Sequence, residues 1–187
     1  MQQFKPIVEK MLSPKRFQHT LGVIEAAKDL AIRYGSDVSQ AQIAGMLHDI
    51  TKECSVTEQM QYCTEFAIEL TQLEIKSPKL LHAKTGAGFA QYRLDVNDPA
   101  ILDALRYHTT GRRDMTKLDK ILYLADYIEV NRRFPGVDEV RALIDCGLDA
   151  MMLQAMRQTI QELLDKQAPI HPDTFECYNQ LLLERGK

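Results

Sequence analysis

The sequence predicts an all-α protein that forms a single domain of eight to eleven helices. Apolar residues recur at helical spacing along most of the chain, and pairs such as Ser-Pro and Asp-Pro mark helix starts. No segment shows the alternating apolar and polar residues, bounded by turn pairs, that predict a strand. The 187 residues, of which 45% are hydrophobic and 26% charged, are enough for one such domain over residues 1–187.

Most of the expected helices have a local signal for their start. The starts are Ser13-Pro14, Asp37, the capping-box pair Ser55 and Glu58, Ser77-Pro78, Asp98-Pro99, Thr116 and Gly147. We therefore expect helices near residues 7–11, 14–34, 40–47, 56–66, 78–90, 99–108, 116–130, 138–144, 147–167 and 175–184. Residues 69–76 fit either a helix or a loop, and residues 168–174 are expected to form a loop.

Composition excludes several classes of function. The net charge of −3 gives no basic excess for binding nucleic acid. No run approaches the roughly 18 apolar residues of a membrane span, and the first residues lack the apolar segment of a signal peptide. The four cysteines are too widely spaced for a zinc clip or a disulfide framework, so we interpret them as reduced thiols of a cytoplasmic protein. They are Cys54, Cys63, Cys146 and Cys177.

The strongest chemical signal is the adjacent pair His48-Asp49, which ends an apolar predicted helix. A buried carboxylate needs a partner, and both Lys52 and a metal ion would serve for Asp49. An imidazole beside a carboxylate suits a metal that takes mixed nitrogen and oxygen ligands. The pair alone also fits a histidine that closes a helix next to a solvated aspartate.

The remaining histidines turn this pair into a candidate metal set. Four of the five histidines lie at predicted helix ends or off the main apolar stripe, and two aspartates lie in apolar surroundings. The set is His19, His48, Asp49, His82, His108 and Asp126. Each histidine taken singly also fits a core or capping role. Together, six ligands with Asp49 as a bridge point to two metals about 3.5–4 Å apart that share a hydroxide aimed at phosphorus.

This order of ligands resembles the HD superfamily of metal-dependent phosphohydrolases, and the likeness covers essentially the whole chain. Segments such as Ser13–Thr20, Tyr107–Gly111, Ala125–Glu129 and Pro169–Thr174 are similar to the bacterial symmetrical bis(5′-nucleosyl)-tetraphosphatases of the YqeK-like type. The resemblance implies an HD-type helical bundle that hydrolyses diadenosine tetraphosphate at its middle to two ADP. It also implies a di-iron centre, although the ligand types would accept manganese or cobalt, and a homodimer.

Site roles follow from the resemblance residue by residue. The six candidates named above would be the metal ligands, and Lys52 would lie beside the bridging hydroxide or a phosphate oxygen. The nucleotide would be contacted by His19, His82, Thr109, Arg132, Ile170, His171, Pro172, Asp173 and Thr174.

The residues themselves leave several of these roles open. Arg132 and Arg133 suit phosphate oxygens but equally fit a solvated loop, and His171 suits a base but equally fits a loop-ordering role. Arg16 is a weaker phosphate candidate, because a first-turn surface arginine explains it better.

Two other hypotheses compete with the tetraphosphatase. One is an HD phosphohydrolase of other nucleotides or deoxynucleotides. The other is a nucleotide-binding regulatory module with slow turnover, and the complete ligand set weighs against it.

Overall fold

Eleven α-helices and one 3₁₀ helix account for the regular structure of residues 1–184, the part of the chain that the computed structural model describes. The helices are α1 (Lys5–Met11), α2 (Pro14–Tyr34), α3 (Val38–Leu47), α4 (Val56–Glu65), α5 (Gln72–Lys76), α6 (Leu81–Leu94), α7 (Pro99–Tyr107), α8 (Lys117–Ile128), α9 (Val137–Arg141), α10 (Leu148–Asp165) and α11 (Pro172–Glu184). The 3₁₀ helix, Pro78–Leu80, precedes α6. The described residues contain no strand, so the all-α prediction is confirmed.

Most helix starts follow the predicted capping signals. The Ser13 side chain accepts a hydrogen bond from the backbone N–H of Arg16, and Pro14 occupies the first helical position of α2. Gly35 ends that helix with a φ of +63°, a left-handed conformation that glycine adopts without strain. The capping box of Ser55 and Glu58 is formed at α4.

Several boundaries differ from the sequence prediction, including the end of α6 at Leu94 and the end of α9 at Arg141. A second capping box, Thr71 with Glu74, makes α5 a helix where the sequence was ambiguous. The Ser77 side chain caps nothing, so the segment after it forms the 3₁₀ helix and α6 begins only at Leu81. Residues 172–174 are not loop, because Pro172, with its fixed φ, starts α11 three residues before the predicted first residue.

The apolar core sits where α2, α3, α7 and α8 pack against one another, with α10 closing the far side of α8. Its largest fully buried side chains include Leu30, Leu47, Leu105, Ile121 and Leu122. Because α3 and α7 pack side by side, the residues that follow their last turns are brought to one end of the bundle. Among residues 1–184, every helix falls short of the length and apolar character that crossing a membrane requires.

Candidate metal centre

The six side chains that the sequence singled out as metal ligands come together in two groups of three. Within each group, one nitrogen or carboxylate oxygen from every residue lies within 4.8 Å of the others. The groups are His19, His48 and Asp126, here called position A, and Asp49, His82 and His108, here called position B.

The positions of the six side chains on their helices bring them together at one end of the bundle. His48 and His108 are the C-cap residues of α3 and α7, so both rings project from helix ends that pack together. His82 lies in the first turn of α6, and His19 lies in the second turn of α2. Asp126 lies in the last turn of α8, which packs along α2.

Asp49 lies between the two positions and faces them with different oxygens. Its Oδ2 is 3.3 Å from His48 Nε2 and 3.8 Å from His19 Nε2. Its Oδ1 is 3.2 Å from His82 Nε2 and 3.8 Å from His108 Nε2. The carboxylate is 3% exposed, and this orientation is the one that a carboxylate shared by two cations requires.

Hydrogen bonds on the far side of the rings fix which nitrogen is free to bind. In His48, His82 and His108, Nδ1 donates to a backbone carbonyl three residues earlier, which places the lone pair on Nε2. The acceptors are the oxygens of Gly45, Lys79 and Leu105, at 2.8, 2.8 and 2.7 Å respectively.

The free nitrogens of each position lie close to one another. Nε2 of His19 is 3.4 Å from Nε2 of His48, and Nε2 of His82 is 3.2 Å from Nε2 of His108. Adjacent nitrogen ligands about 2.1 Å from one cation are separated by about 3.0–3.4 Å, depending on the angle between them. The donor set therefore fits two cations.

The pKa values of the same side chains favour protonation states that can bind a cation. Burial lowers the pKa of His82, and burial together with the neighbouring His82 and His48 rings lowers the pKa of His108 to about 3, so both rings are neutral ligands at neutral pH. Burial alone would raise the pKa of Asp49, but His48 and His82 hold it well below its ordinary value. Burial opposes charge on His48 too, yet Asp49 and Asp126 raise its pKa, which shows that this place attracts positive charge.

Three half-buried cations surround the ligands. Arg16 Nη1 is 3.0 Å from Asp49 Oδ2, and Arg132 donates from Nε to the Asp126 backbone carbonyl at 2.8 Å and also pairs with its carboxylate. Lys52 Nζ is 3.9 Å from Asp49 Oδ1. Each of the three side chains is about one-third exposed, which places positive charge where the centre opens to solvent. This solvent-facing opening with three positive charges, here called the mouth of the centre, suits an anionic substrate.

Asp126 lies in an apolar stretch of the sequence, yet its carboxylate is partly exposed and has partners. Its side chain is 22% exposed, and it pairs with Arg132 and with Nε2 of His19 at 3.0 Å. The reason is that α8 ends at Ile128, two residues later, so the last turn opens towards the mouth of the centre. These partners hold the pKa of Asp126 below its ordinary value despite its desolvation.

Of the predicted nucleotide contacts, His19 and Arg132 lie at position A, whereas Thr109 lies beside position B. Thr109 directly follows His108, and its hydroxyl oxygen is one of three fully buried side-chain polar atoms of residues 1–184 that have no hydrogen-bond partner. Nε2 of His171 is another. The Thr174 hydroxyl donates to the Thr110 carbonyl at 2.8 Å, which ties the first turn of α11 to the segment after His108. Ile170 and Asp173 are half-buried and Pro172 is exposed. The contacts of these residues with a nucleotide stay predictions.

Sequence reasoning missed Glu129, which directly supports a ligand. Its Oε1 is 3.1 Å from Nδ1 of His19, and the residue is 2% exposed at the C-cap of α8. The available signal was an acidic residue one helical turn after Asp126. Arg16 was underestimated as a surface residue, although it contacts Asp49.

Comparisons with known proteins agree with this geometry. The HD domain family matches residues 16–131, a range that contains all six candidate ligands, Arg16, Lys52 and Glu129. A relative from Halalkalibacterium halodurans named "Bis(5′-nucleosyl)-tetraphosphatase, symmetrical" is 42% identical over 181 residues, covering 96% of this chain and 95% of the relative. A relative with the same name from Bacillus subtilis is 43% identical over 175 residues, covering 94% of each chain.

A solved structure is similar over nearly the whole length. It is a crystal structure from Clostridium acetobutylicum, described as a predicted HD superfamily hydrolase involved in NAD metabolism. The TM-score is 0.95 at 36% sequence identity, with 98% of this chain and 97% of that chain covered.

Proposed function

This chain belongs to the HD-domain family, and we propose that it is a metal-dependent hydrolase that cleaves diadenosine tetraphosphate symmetrically to two ADP. The observation that carries the proposal is Asp49, whose two oxygens face two separate ligand groups under a ring of three cations. Relatives that carry the name of this activity match the chain over about 95% of its length, which supports the choice of substrate.

Two bound metal ions would lower the pKa of a water molecule and neutralise charge that develops on phosphoryl oxygens. The other contributions come from the chain itself. Arg16 and Arg132 present guanidinium groups that can hold phosphate oxygens with two hydrogen bonds each. Lys52, whose pKa burial lowers, places its ammonium beside Asp49 and contributes a point charge to a phosphoryl oxygen.

Symmetrical cleavage places the reacting atoms in the middle of the polyphosphate. The water oxygen bonds to one inner phosphorus while the bond from that phosphorus to the central bridging oxygen breaks. One ADP leaves with the central oxygen, and the other ADP keeps the oxygen from water. We assign the nucleotide contacts to His19, His82, Thr109, Arg132 and residues 170–174, where Thr109 and His171 offer buried polar atoms.

We further propose that the metals are iron, that manganese or cobalt can replace them, and that residues 1–187 form one domain. A single apolar core that runs from Phe4 to Leu181 supports one domain. The free cysteines of residues 1–184 support a reducing compartment, the cytoplasm. A homodimer completes the proposal, and light scattering of the purified protein tests it.

The test is a product assay on anaerobically prepared, iron-loaded protein given diadenosine tetraphosphate in ¹⁸O-labelled water. We expect ADP as the sole nucleotide product, with one labelled oxygen for every two ADP. ATP with AMP would show off-centre attack and contradict the proposal. Tripolyphosphate released from deoxynucleoside triphosphates, without tetraphosphate cleavage, would favour the other HD phosphohydrolases. The Asp49→Ala variant serves as the inactive control.

A further inference from the structure

We propose that the two metal positions are unequal, and that Glu129 makes position A the tighter of the two, so that the first metal ion binds there. Glu129 is a positioning residue in this proposal, since it acts through His19. The inference rests on the metal centre of the proposed function and is independent of its substrate.

The four histidines differ in the group that contacts Nδ1, the ring nitrogen that faces away from the metal position. Three of them donate Nδ1–H to a neutral backbone carbonyl. His19 instead has Nδ1 3.1 Å from the carboxylate oxygen Oε1 of the buried Glu129. A carboxylate behind the ring raises the basicity of the opposite nitrogen and holds the ring in one orientation. The strongest nitrogen donor of the centre therefore belongs to position A.

The carboxylate is itself held in place. Oε2 of Glu129 accepts a hydrogen bond from the Asn131 backbone N–H at 2.7 Å, which leaves Oε1 for His19. Gly22, one turn after His19 on α2, makes room for this arrangement, because a Cβ added there would clash with Oε2 of Glu129. The contact between Glu129, at the end of α8, and His19, on α2, therefore requires that residue 22 has no side chain.

The charges around the two positions are also unequal. Position A has the Asp126 carboxylate in addition to the shared Asp49, and Glu129 lies behind the His19 ring. Arg132 contacts Asp126, and Arg16 contacts Asp49. Within residues 1–184, the ion-pair contacts of His82 and His108 involve Asp49 alone.

Lys52 adds to the difference at position B. Its Nζ lies 3.0 Å from Nε2 of His82, the nitrogen that a metal ion at position B needs. The arginines contact carboxylates, which keep further lone pairs for a cation. A metal ion at position B must therefore displace a cation from a ligand atom.

The test is a calorimetric titration of chelator-treated protein with Mn²⁺. We expect two binding steps, of which the first is the tighter. Glu129→Gln keeps the size of the side chain but removes its charge, and we expect it to weaken the first step about 10–100-fold while changing the second step far less. Glu74→Gln is the matched control, because Glu74 is also buried but pairs with Lys84, and both steps should stay unchanged.

Further variants identify which position is which. His108→Ala should keep the tight step and lose the weak one, whereas His48→Ala should lose the tight step. Lys52→Met should strengthen only the weak step. If Glu129→Gln fails to fold, Gly22→Ala displaces the same carboxylate and should again weaken the first step.

Several results would overturn the inference. Two equal steps in the unmodified protein would do so, and so would equal weakening of both steps by Glu129→Gln. Failure of the unmodified protein to bind metal would overturn the metal centre itself. Products other than ADP, with two unequal metal steps intact, would contradict the proposed substrate and leave this inference standing.

Discussion

Nε2 of His82 lies 3.2 Å from Nε2 of His108, although each ring already uses its Nδ1 to donate to a backbone carbonyl. Two nitrogen lone pairs therefore face each other in a buried place, with the Lys52 ammonium 3.0 Å from Nε2 of His82, and a metal ion between the rings would bind both nitrogens. At position A, the Nε2 atoms of His19 and His48 are 3.4 Å apart. Metal binding should consequently stabilise the fold as well as provide chemistry.

The first prediction is that removal of metal lowers the melting temperature. A ligand present at 100 times its dissociation constant stabilises a protein by about 2.7 kcal/mol, which for a chain of this size corresponds to a shift of about 5–10 °C. Differential scanning calorimetry with and without a chelator measures the shift. Asp49→Ala should show little response to the chelator. Equal melting temperatures of the metal-loaded and stripped protein would argue against a buried metal centre.

The second prediction separates the bridging aspartate from the terminal one. Asp49 faces both positions with different oxygens, so Asp49→Ala should lose metal from both and abolish turnover. Asp126 belongs to position A alone, so Asp126→Ala should retain more metal than Asp49→Ala. Elemental analysis of both purified variants gives the metal content per chain. Equal metal content in the two variants would show that Asp49 is not shared.

Particular residues show what the sequence could and could not predict. The positions of His48 and His108 at helix ends were predictable from start signals and apolar spacing, and α3 and α7 then pack side by side. Glu129 was not, because a glutamate at a helix end usually faces solvent, and only the packing of α8 on α2 brings it behind His19. Likewise, no local pattern shows that Lys52 reaches His82, since thirty residues separate them in the chain.

The third prediction concerns the pH dependence of thiol reactivity. Burial raises the pKa of Cys177 to about 11, whereas Cys146 is exposed. Because the thiolate is the reactive form, a raised pKa moves reactivity to higher pH, and burial also blocks access. At pH 8 iodoacetamide should therefore label Cys146 first and Cys177 only after unfolding. Mass spectrometry of peptides reports both sites, and equal labelling rates in the folded protein would show that α11 opens readily.

The fourth prediction concerns Arg132 and uses its neighbour as the control. Arg132 contacts Asp126 at the solvent-facing side of the centre, whereas the exposed Arg133 donates to the backbone carbonyls of Val130 and Arg132. If Arg132 binds a phosphate equally in the ground and transition states, Arg132→Ala should raise KM about tenfold with a smaller change in kcat, and Arg133→Ala should change neither.

Metal content decides how Arg132 acts. Because the guanidinium also orients Asp126, a variant that loses metal would show an effect through position A rather than through the substrate. We expect Arg132→Ala to keep its metal under saturating Mn²⁺ and still show the raised KM. Arg132→Lys should recover only part of the affinity, since an ammonium cannot make the paired hydrogen bonds of a guanidinium. Full recovery by lysine would mean that the site needs only a positive charge there, and an unchanged KM in Arg132→Ala would remove Arg132 from the substrate site.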